Sequence, residues 1–202
     1  MKPSISSEQR RRIERGIRDR YARVAAGPEG HFDYPTGREG LEKLAYDKTL
    51  VAKLPDEAAA SYCGVGNPFA LGMIHPGERV LDVGCGAGVD TILAGFLAGP
   101  RGASVGVDIV PEMVARAEKS RALAGLGNVL FQNASGEALP FAERSFEVVI
   151  SNGAINLMPD KEAVLSEIER VLKPGGRLLL ADQIAVGDMA KDLEARLANW
   201  FQ

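Results

Sequence analysis

The chain has 202 residues, 46% of them hydrophobic, and a formal net charge of −3 at pH 7, which predicts one globular domain that buries roughly 70% of its unfolded surface. The mildly acidic balance of charges argues against nucleic acid as the main partner. The sequence shows no signal peptide and no apolar run of about 18 residues, so we expect a cytoplasmic protein that does not associate with membranes. Its two cysteines, Cys63 and Cys85, are too few for a metal site or a disulfide framework of their own.

The first predicted element is an arginine-rich helix from Glu8 to Val24. An apolar stripe falls on one face of this helix, at Ile13, Ile17, Tyr21 and Val24. We interpret the stripe as the face that docks onto the rest of the domain; a patch for an anionic partner or a membrane, and a lid over a ligand site, are the alternatives. A loop at residues 31–37 and a helical pattern at about residues 38–54 follow. We expect residues 1–70 to form a helical cap and lid segment and residues 71–202 to form the core.

An apolar strand that runs into a glycine turn, Val80–Gly88, is the most informative segment, and a helix opens at about Val89. Glycines permit backbone angles that are forbidden to other residues, so such a turn can lie directly against a ligand beside a helix N-terminus. The dinucleotide fingerprint needs a glycine at the position of Val89, and Asp82 lies just before the first glycine. The turn therefore predicts a small-molecule cofactor, and a nicotinamide oxidoreductase is the weaker alternative.

A second predicted strand, Ala103–Asp108, ends in an acid that lies 24 residues after Gly84. A carboxylate at the carboxyl end of this strand can accept hydrogen bonds from both hydroxyls of a ribose. The alternative is a helix cap. Because strand, turn, helix, strand and acid follow the order of a βαβ unit, we favour ribose binding by Asp108.

Strand and helix patterns alternate along the remaining chain. Predicted strands include Phe146–Ile150 and Leu178–Ala181, the second opened by a turn at Pro174–Gly176, and Leu130 and Phe131 precede a loop. Helical patterns lie at about Ala87–Leu97, Pro111–Ala124 and Lys161–Leu172, and another follows Val186 with Met189, Leu193, Leu197 and Trp200 on one face. The alternation predicts an α/β fold with a doubly wound, mostly parallel sheet and a ligand at the carboxyl ends of its strands.

The chain resembles class I S-adenosylmethionine-dependent methyltransferases over roughly residues 70–186, both in the two acids that flank the glycine turn and in three further blocks, Gly136–Phe141, Phe146–Asn152 and Arg170–Arg177. The resemblance implies a Rossmann-like fold, S-adenosyl-L-methionine as methyl donor, S-adenosyl-L-homocysteine as product and a small-molecule acceptor; from the cysteine count we expect no metal site. Ser135 stands where related enzymes often carry an acid for the adenine amino group. The cofactor-binding residues that the resemblance implies are Asp82, Gly84, Cys85, Gly86, Gly88, Asp108, Ile109, Met113, Ser135, Gly136, Glu137 and Asn152.

A narrower resemblance, to arsenite methyltransferases and their relatives, is carried by Tyr46, Leu54–Pro55, Gly64–Pro68 and Ile150–Lys161. Those enzymes hold trivalent arsenic with cysteine thiolates, because a soft metalloid needs soft ligands. Val65 and Gly153 stand where that group has cysteines, and Cys63 alone cannot form a three-coordinate site. We therefore predict a methyltransferase whose small-molecule acceptor and catalytic residues are unidentified. A non-catalytic cofactor-binding module, or an arsenite methyltransferase with an unusual thiol arrangement, is the alternative.

Two further expectations concern the acceptor and the end of the sheet. His31 is a candidate base, and Asp33, Tyr34 and Tyr46 are candidates for lining the acceptor pocket. Class I methyltransferases usually add two strands after the one that we place at Leu178–Ala181, so we expect the sheet to lack its last two strands. Such a sheet has an open edge, which proteins normally cover or pair. A chain truncated at its C-terminal end, a partner or second copy of the chain at that edge, and a minimal domain all fit the sequence.

Overall fold

The computed structural model describes residues 5–184, which contain one sheet of five parallel strands in the order β3-β2-β1-β4-β5. The strands are β1 (Arg79–Val83), β2 (Ala103–Asp108), β3 (Val129–Asn133), β4 (Phe146–Asn152) and β5 (Leu172–Ala181). The described helices are α1 (Ser7–Val24), α2 (Gly37–Lys43), α3 (Lys48–Val51), α4 (Asp56–Ala60), α5 (Val89–Ala98), α6 (Pro111–Ala124) and α7 (Lys161–Val171), and short 3-10 helices lie at Pro68–Leu71 and Ile155–Leu157. The predicted doubly wound α/β fold is confirmed.

The order of the strands determines where a ligand can bind. The chain runs from β1 through α5 to β2 and through α6 to β3, and then returns to β4 on the other side of β1 and continues through α7 to β5. The direction of winding therefore reverses between β1 and β4, and in open α/β sheets ligands bind at the carboxyl ends of the strands at such a reversal. Leu81 of β1 pairs with Val105 on one side and Val149 on the other and is fully buried, which places β1 in the middle of the core.

Several predicted boundaries coincide with the structure, and one differs for a visible reason. Helix α6 and strand β2 have the predicted bounds. Helix α5 begins at Val89 because Gly88, which precedes it, has a left-handed backbone with φ +86°. The turn predicted at Pro174–Gly176 does not open β5 but lies inside it, because the pairing of β4 with β5 shifts register between Phe146 and Val148.

The helical pattern predicted at about residues 38–54 is wrong as one helix, because the structure has two short helices there, α2 and α3. Ala45, between them, has a left-handed backbone with φ 55°, which ends the helical path. Asp47 then starts α3 by accepting hydrogen bonds from the backbone N–H groups of Thr49 and Leu50 at 2.8 and 3.0 Å. Alanine favours helices, so the residue at the break gives no sign of it in the sequence.

The N-terminal helices pack directly onto the sheet domain. Ile13, Ile17 and Val24 of α1 are buried in one cluster with Val110 and Met113, which confirms the docking stripe. Residues of the segment from α2 to α4 share another buried cluster with α5, and a division of the chain at residue 70 stays a prediction. None of the helices in residues 5–184 is long and apolar enough to cross a membrane. The helical pattern predicted at residues 189–200 lies outside the described residues.

Candidate functional site

A cleft opens at the carboxyl ends of β1, β2 and β4, where the reversal of winding predicts a ligand site. Its empty space, counting the part that is open to solvent, is about 1040 Å³. The glycine turn after β1, the loops after β3 and β4, and α1 form its walls. The cleft therefore has the position of a small-molecule site.

The glycine turn needs its glycines for two different reasons. Gly84, Gly86 and Gly88 all have left-handed backbones, with φ of +76°, +51° and +86°. The backbone N–H of Gly84 donates to the carbonyl of Val107 at 2.9 Å, which fixes the turn against β2. A Cβ at Gly84 would lie 2.2 Å from the Cβ of Ala154, whereas a Cβ at Gly86 would meet nothing within 4 Å. Gly84 is thus required for packing, and Gly86 leaves a stretch of backbone open to the cleft.

Asp108 stands at the carboxyl end of β2 and lines the cleft next to the glycine turn. Its Oδ2 accepts a hydrogen bond from the backbone N–H of Gly86, and its Oδ1 accepts one from the backbone N–H of Val110, both at 2.9 Å. The second bond holds Val110, the residue before α6, but no side-chain hydrogen bond caps this helix, so the structure does not support the helix-cap interpretation. Burial raises the pKa of Asp108. Each carboxylate oxygen keeps a further lone pair, and the group is held in a fixed orientation.

Asp82, the acid before the turn, forms part of the cleft wall from inside the core. It is only 2% exposed, and the hydroxyl of Thr91 donates to its Oδ2 at 2.6 Å. Burial raises the pKa of Asp82 well above its usual range, and the nearby carboxylate of Asp90 raises it further. Thr91 lies on α5, so this bond fixes the first turn of the helix to the end of β1.

A buried polar network surrounds Asp90, the second residue of α5. Asp90 is 7% exposed and lines the cleft. The hydroxyl of Tyr46 donates to its Oδ1 at 2.7 Å, and the amide Nδ2 of Asn152 donates to its Oδ2 at 2.9 Å. Burial raises the pKa of this carboxyl to about 6, although both hydrogen bonds act in the opposite direction. The carboxylate is therefore kept in place by two neutral donors.

Asn152, the last residue of β4, also fastens the segment before β1. Its Oδ1 accepts hydrogen bonds from the backbone N–H groups of Val65 and Gly66 at 2.9 and 3.0 Å, and its Nδ2 lies 2.8 Å from the carbonyl oxygen of Gly66. The hydroxyl of Tyr62 donates to the same carbonyl at 2.8 Å. One side chain thereby holds residues 62–66 against the end of the sheet.

The loop after β3 forms the opposite part of the wall with Ser135, Gly136 and Glu137. The backbone N–H of Glu137 donates to the hydroxyl of Ser135 at 3.2 Å. The carboxylate of Glu137 pairs with Arg10 of α1 and accepts a hydrogen bond from the backbone N–H of Asp160 at 2.9 Å. Glu137 therefore joins this loop to α1 and to the start of α7.

The structure brings most of the predicted site residues together. Those that line the cleft are Asp82, Gly84, Cys85, Gly86, Asp108, Ile109, Ser135, Gly136, Glu137 and Asn152. Gly88 and Met113 do not belong to its lining. A Cβ at Gly88 would lie 2.5 Å from the ring of Phe131, so this glycine serves the packing of α5, and Met113 is buried beneath α1.

Part of the wall comes from α1 and from the segment before β1. Helix α1 contributes Glu14, Ile17 and Tyr21 to the lining, so the helix that docks by its apolar stripe also covers the cleft, in keeping with the alternative of a lid over a ligand site. Sequence reasoning did not assign these three residues, or Tyr62 and Asp90, to the site. The stripe predicts docking but does not say which side chains face a ligand.

The two positions where arsenite methyltransferases carry cysteines lie side by side. A Cβ at Gly153 would lie 3.2 Å from both methyl groups of Val65, so these two positions are neighbours in the fold. Cys63 lines the same cleft, and burial raises the pKa of its thiol to about 12. A thiol with such a pKa is protonated near neutral pH and is a poor ligand for a soft metalloid.

The remaining acceptor-pocket candidates lie away from the cleft. Neither His31 nor Asp33 belongs to its lining. Tyr34 borders a second cavity together with Val65 and Asp182 and donates its hydroxyl to the carbonyl of Cys63 at 3.0 Å. Gly64 lines both cavities, so a single stretch of backbone separates them.

Comparisons with known proteins agree with this geometry. Residues 74–202 match the family described as "Methyltransferase domain". The chain is 38% identical over 192 residues to an arsenite methyltransferase of Halobacterium salinarum, an alignment that covers 88% of this chain and 49% of the relative. It is 39% identical over 110 residues to a ubiquinone/menaquinone biosynthesis C-methyltransferase of Pasteurella multocida, covering 54% of this chain and 41% of the relative. The chain thus spans about half the length of the curated relatives it matches.

Solved structures are similar over a comparable part of the chain. An arsenic (III) S-adenosylmethionine methyltransferase from Chlamydomonas reinhardtii superposes with a TM-score of 0.62 at 38% identity, covering 67% of this chain and 48% of that one. A SAM-dependent methyltransferase from Aquifex aeolicus superposes with a TM-score of 0.54 at 21% identity, covering 81% and 86% of the two chains. The second similarity supports the fold alone.

Proposed function

Because the chain belongs to the S-adenosylmethionine-dependent methyltransferases, similar to the arsenite group, we propose that its cleft binds S-adenosylmethionine and that the protein transfers the methyl group to a small-molecule acceptor. The observation that carries this proposal is the placement of Asp108 beside an open glycine turn at the reversal of winding. One ligand can therefore contact both a carboxylate suited to bind a ribose and a stretch of backbone without side chains.

The residues present fit this cofactor. Gly86 leaves its backbone open to the cleft, and Asp108 has the lone pairs to accept both hydroxyls of a ribose. We propose that the backbone of Gly136 and the hydroxyl of Ser135 contact the adenine ring, and that Ile109 gives it an apolar surface. Because a hydroxyl accepts a hydrogen bond less strongly than a carboxylate, we expect Ser135 to reduce affinity without abolishing it.

The bound cofactor supplies a methyl group that is already activated as part of a sulfonium ion. The protein then has to hold donor and acceptor in line and to exclude water. Helix α1 contributes to the exclusion of water, because Ile17 and Tyr21 line the cleft and Arg10 pairs with Glu137 of its wall.

Arsenite is not favoured as the acceptor by the residues of this chain. The two cysteine positions of the related enzymes are a contacting pair of Val65 and Gly153, and the thiol of Cys63 has a pKa of about 12. Cys85, the other cysteine of the chain, is a buried residue of the glycine turn. Burial also raises the pKa of its thiol. We therefore propose a different small molecule, and a non-catalytic cofactor-binding module stays the alternative.

A thermal melt with S-adenosylhomocysteine tests the proposed site. At 100 times the dissociation constant the ligand should stabilise the chain by about 2.7 kcal/mol, which is roughly 5–10 °C for a domain of this size. We expect Asp108→Ala to abolish the shift and a nicotinamide cofactor to produce none. A cooperative melt without any shift would contradict the proposal.

Asp182→Ala is the matched control for this variant. Asp182 is a half-buried carboxylate that also accepts two backbone hydrogen bonds, from Asn156 at 2.9 Å and from Gln183 at 2.8 Å, but it does not line the cleft. The control variant should be destabilised to a similar extent and should keep the full shift. Transfer of a labelled methyl group to any member of a small-molecule panel separates the enzyme from the binding module.

We also propose a cytoplasmic location and a covered edge at β5. Cys63 and Cys85 are free thiols, which fits a reducing compartment.

In the described part of the chain β5 pairs on one side only, with β4, and an open edge is normally covered or paired. A second copy of the chain or a partner protein fits this edge; light scattering of the purified chain and cell fractionation check the two expectations.

A further inference from the structure

The lining of the cleft contains acidic side chains and, among residues 5–184, no lysine, arginine or histidine. The acidic residues are Glu14, Asp82, Asp90, Asp108 and Glu137. Arg10, which lies outside the lining, pairs with Glu137 and lies 4.0 Å from Glu14. Asp108 is held by the backbone N–H groups of Gly86 and Val110.

Within the described chain, Asp90 shares the lack of a cationic partner with Asp82 and Asp108, but it is less deeply buried than Asp82, at 7% against 2% exposed, and it is not the residue proposed to hold the ribose. It is buried, yet both groups that hydrogen-bond to it, the hydroxyl of Tyr46 and the amide of Asn152, are neutral. Neutral donors keep a carboxylate in a defined place and solvate it, but they do not cancel its charge. A buried charge without a counter-ion is costly, and such charges are normally paired. The site is therefore built to meet a positive charge that the described residues do not supply.

We propose that Asp90 is the residue by which the cleft distinguishes the cationic methyl donor from its neutral product. This inference rests on the proposed function. In the transfer, the bond between sulfur and the methyl carbon breaks, a bond between the acceptor and that carbon forms, and the electron pair of the broken bond stays on sulfur. The sulfonium becomes a neutral thioether, and the positive charge passes to the acceptor or leaves it as a proton.

A fixed negative charge in a site of low dielectric constant acts strongly on such a change. Asp90 favours the sulfonium over the thioether, and so it promotes exchange of product for fresh donor. The same charge repels an anionic acceptor, because the described lining holds no cation to compensate it. Asp90 thus selects acceptors that are neutral or cationic when they enter the cleft.

The test compares two ligands that differ in charge at a single position. Sinefungin is an analogue of S-adenosylmethionine in which a protonated amine replaces the methylsulfonium, and S-adenosylhomocysteine is neutral at that position. Calorimetry at pH 8 gives the ratio of their dissociation constants without any knowledge of the acceptor. We expect Asp90→Asn to reduce the preference for sinefungin about tenfold. Affinity for S-adenosylhomocysteine should change much less.

Two control variants separate charge from structural support. Tyr46→Phe removes a hydrogen bond to Asp90 but keeps its charge, so the ratio should stay as in the unmodified chain. Asp108→Asn alters the contact to the ribose, which both ligands share, and should weaken both alike. If Asp90→Asn changes both affinities equally, Asp90 is only a structural residue and the inference is overturned.

A second measurement covers the case in which Asp90→Asn does not fold. The ratio is then measured in the unmodified chain as the pH is lowered from 8 to 5, which protonates Asp90. The ionisable groups that face Asp90 are Asp82, Tyr46, Tyr62 and Cys63. The preference for sinefungin should decrease as the pH is lowered. A ratio of dissociation constants that stays the same from pH 8 to pH 5 overturns the inference. If neither ligand binds the folded chain at any pH, the proposed function itself fails.

Discussion

The side chain of Asn152 forms hydrogen bonds with several parts of the candidate site. Its amide oxygen accepts two backbone hydrogen bonds from Val65 and Gly66, and its amide nitrogen lies within hydrogen-bonding distance of Gly66 and Asp90. Each of these groups is buried or partly buried and has few alternatives to this partner. The residue therefore supports both the wall of the cleft and the position of the charge at Asp90.

We expect Asn152→Ala to lower the free energy of unfolding by about 2–4 kcal/mol, because several buried polar groups lose their partner at once. Denaturant unfolding measures the change. Asn133→Ala is the matched control, since Asn133 is exposed and makes one hydrogen bond, to the carbonyl of Asp108 at 2.8 Å. The control should cost about 1 kcal/mol or less. Equal losses in the two variants would show that the network at Asn152 is not coupled.

At the scale of elements, α1 combines two roles that are usually discussed separately. Its buried face, with Ile13 and Ile17, anchors it to the domain, while Glu14 and Tyr21 complete the wall of the cleft. Arg10 fastens the beginning of the helix by pairing with Glu137 and by approaching the carboxylate of Asp160 to 3.5 Å. A ligand that enters or leaves the cleft therefore has to pass an element that is held mainly by packing and by this group of charges.

Arg10→Ala should make bound S-adenosylhomocysteine dissociate severalfold faster, because α1 loses its polar attachment beside the cleft. The free energy of unfolding should change by less than about 1 kcal/mol, since the ion pair is partly exposed to solvent. Stopped-flow displacement measures the rate. Arg11→Ala, an exposed neighbour on the same helix, is the control and should leave the rate unchanged. An unchanged rate in Arg10→Ala would show that α1 does not limit release.

Elements with strong local signals were predicted well, and those that depend on distant contacts were not. Helix α6 has proline at its start and glycine after its end, and its bounds were predicted without error. The break at Ala45 was missed because it is stabilised by the packing of Leu41 and Tyr46 into a shared core rather than by the residue itself. The register shift in β5 was missed for a related reason, since it depends on pairing with β4.

At the scale of the whole molecule, buried carboxylates make stability depend on pH in an unusual direction. The pKa of Asp90 is raised to about 6, and that of Asp82 is raised as well, in both cases chiefly by burial. A carboxyl whose pKa is higher in the folded chain binds its proton more tightly there, so its contribution to stability is largest at low pH and is lost as the pH rises through the folded pKa. The pKa of Glu167 is lowered by its hydrogen bond with Arg170, and this contribution is lost in acid.

We therefore expect the free energy of unfolding to rise by about 1 kcal/mol between pH 7 and pH 5 from Asp90 alone, and to fall again below about pH 4.5. Thermal melts across this range measure the profile. Asp90→Asn should flatten the part between pH 7 and pH 5, and Arg170→Ala should weaken the acid limb. A profile that falls steadily from pH 7 downwards would contradict the assigned direction for Asp90.

The candidate site was predictable from the sequence where its residues are local and not where they are scattered. Asp82, the glycine turn and Asp108 follow one another within a βαβ unit, so their order alone indicated a common ligand. Asn152 was included only through the resemblance to a family. Asp90 and Tyr62 had no local signal, because their role arises from hydrogen bonds that close only after the chain has folded.

The hydrogen bond between Tyr46 and Asn152 joins residues that are 106 positions apart. Ribosomes add about 5–20 residues per second, so roughly 5–20 s of synthesis separate the two partners. Tyr46 and Asp90 can bond to each other once both are made, but Asn152, which bonds to both of them, follows Asp90 by 62 residues. The polar network around Asp90 therefore stays incomplete throughout synthesis of the first three strands, and this part of the cleft wall reaches its final arrangement only when β4 has been made.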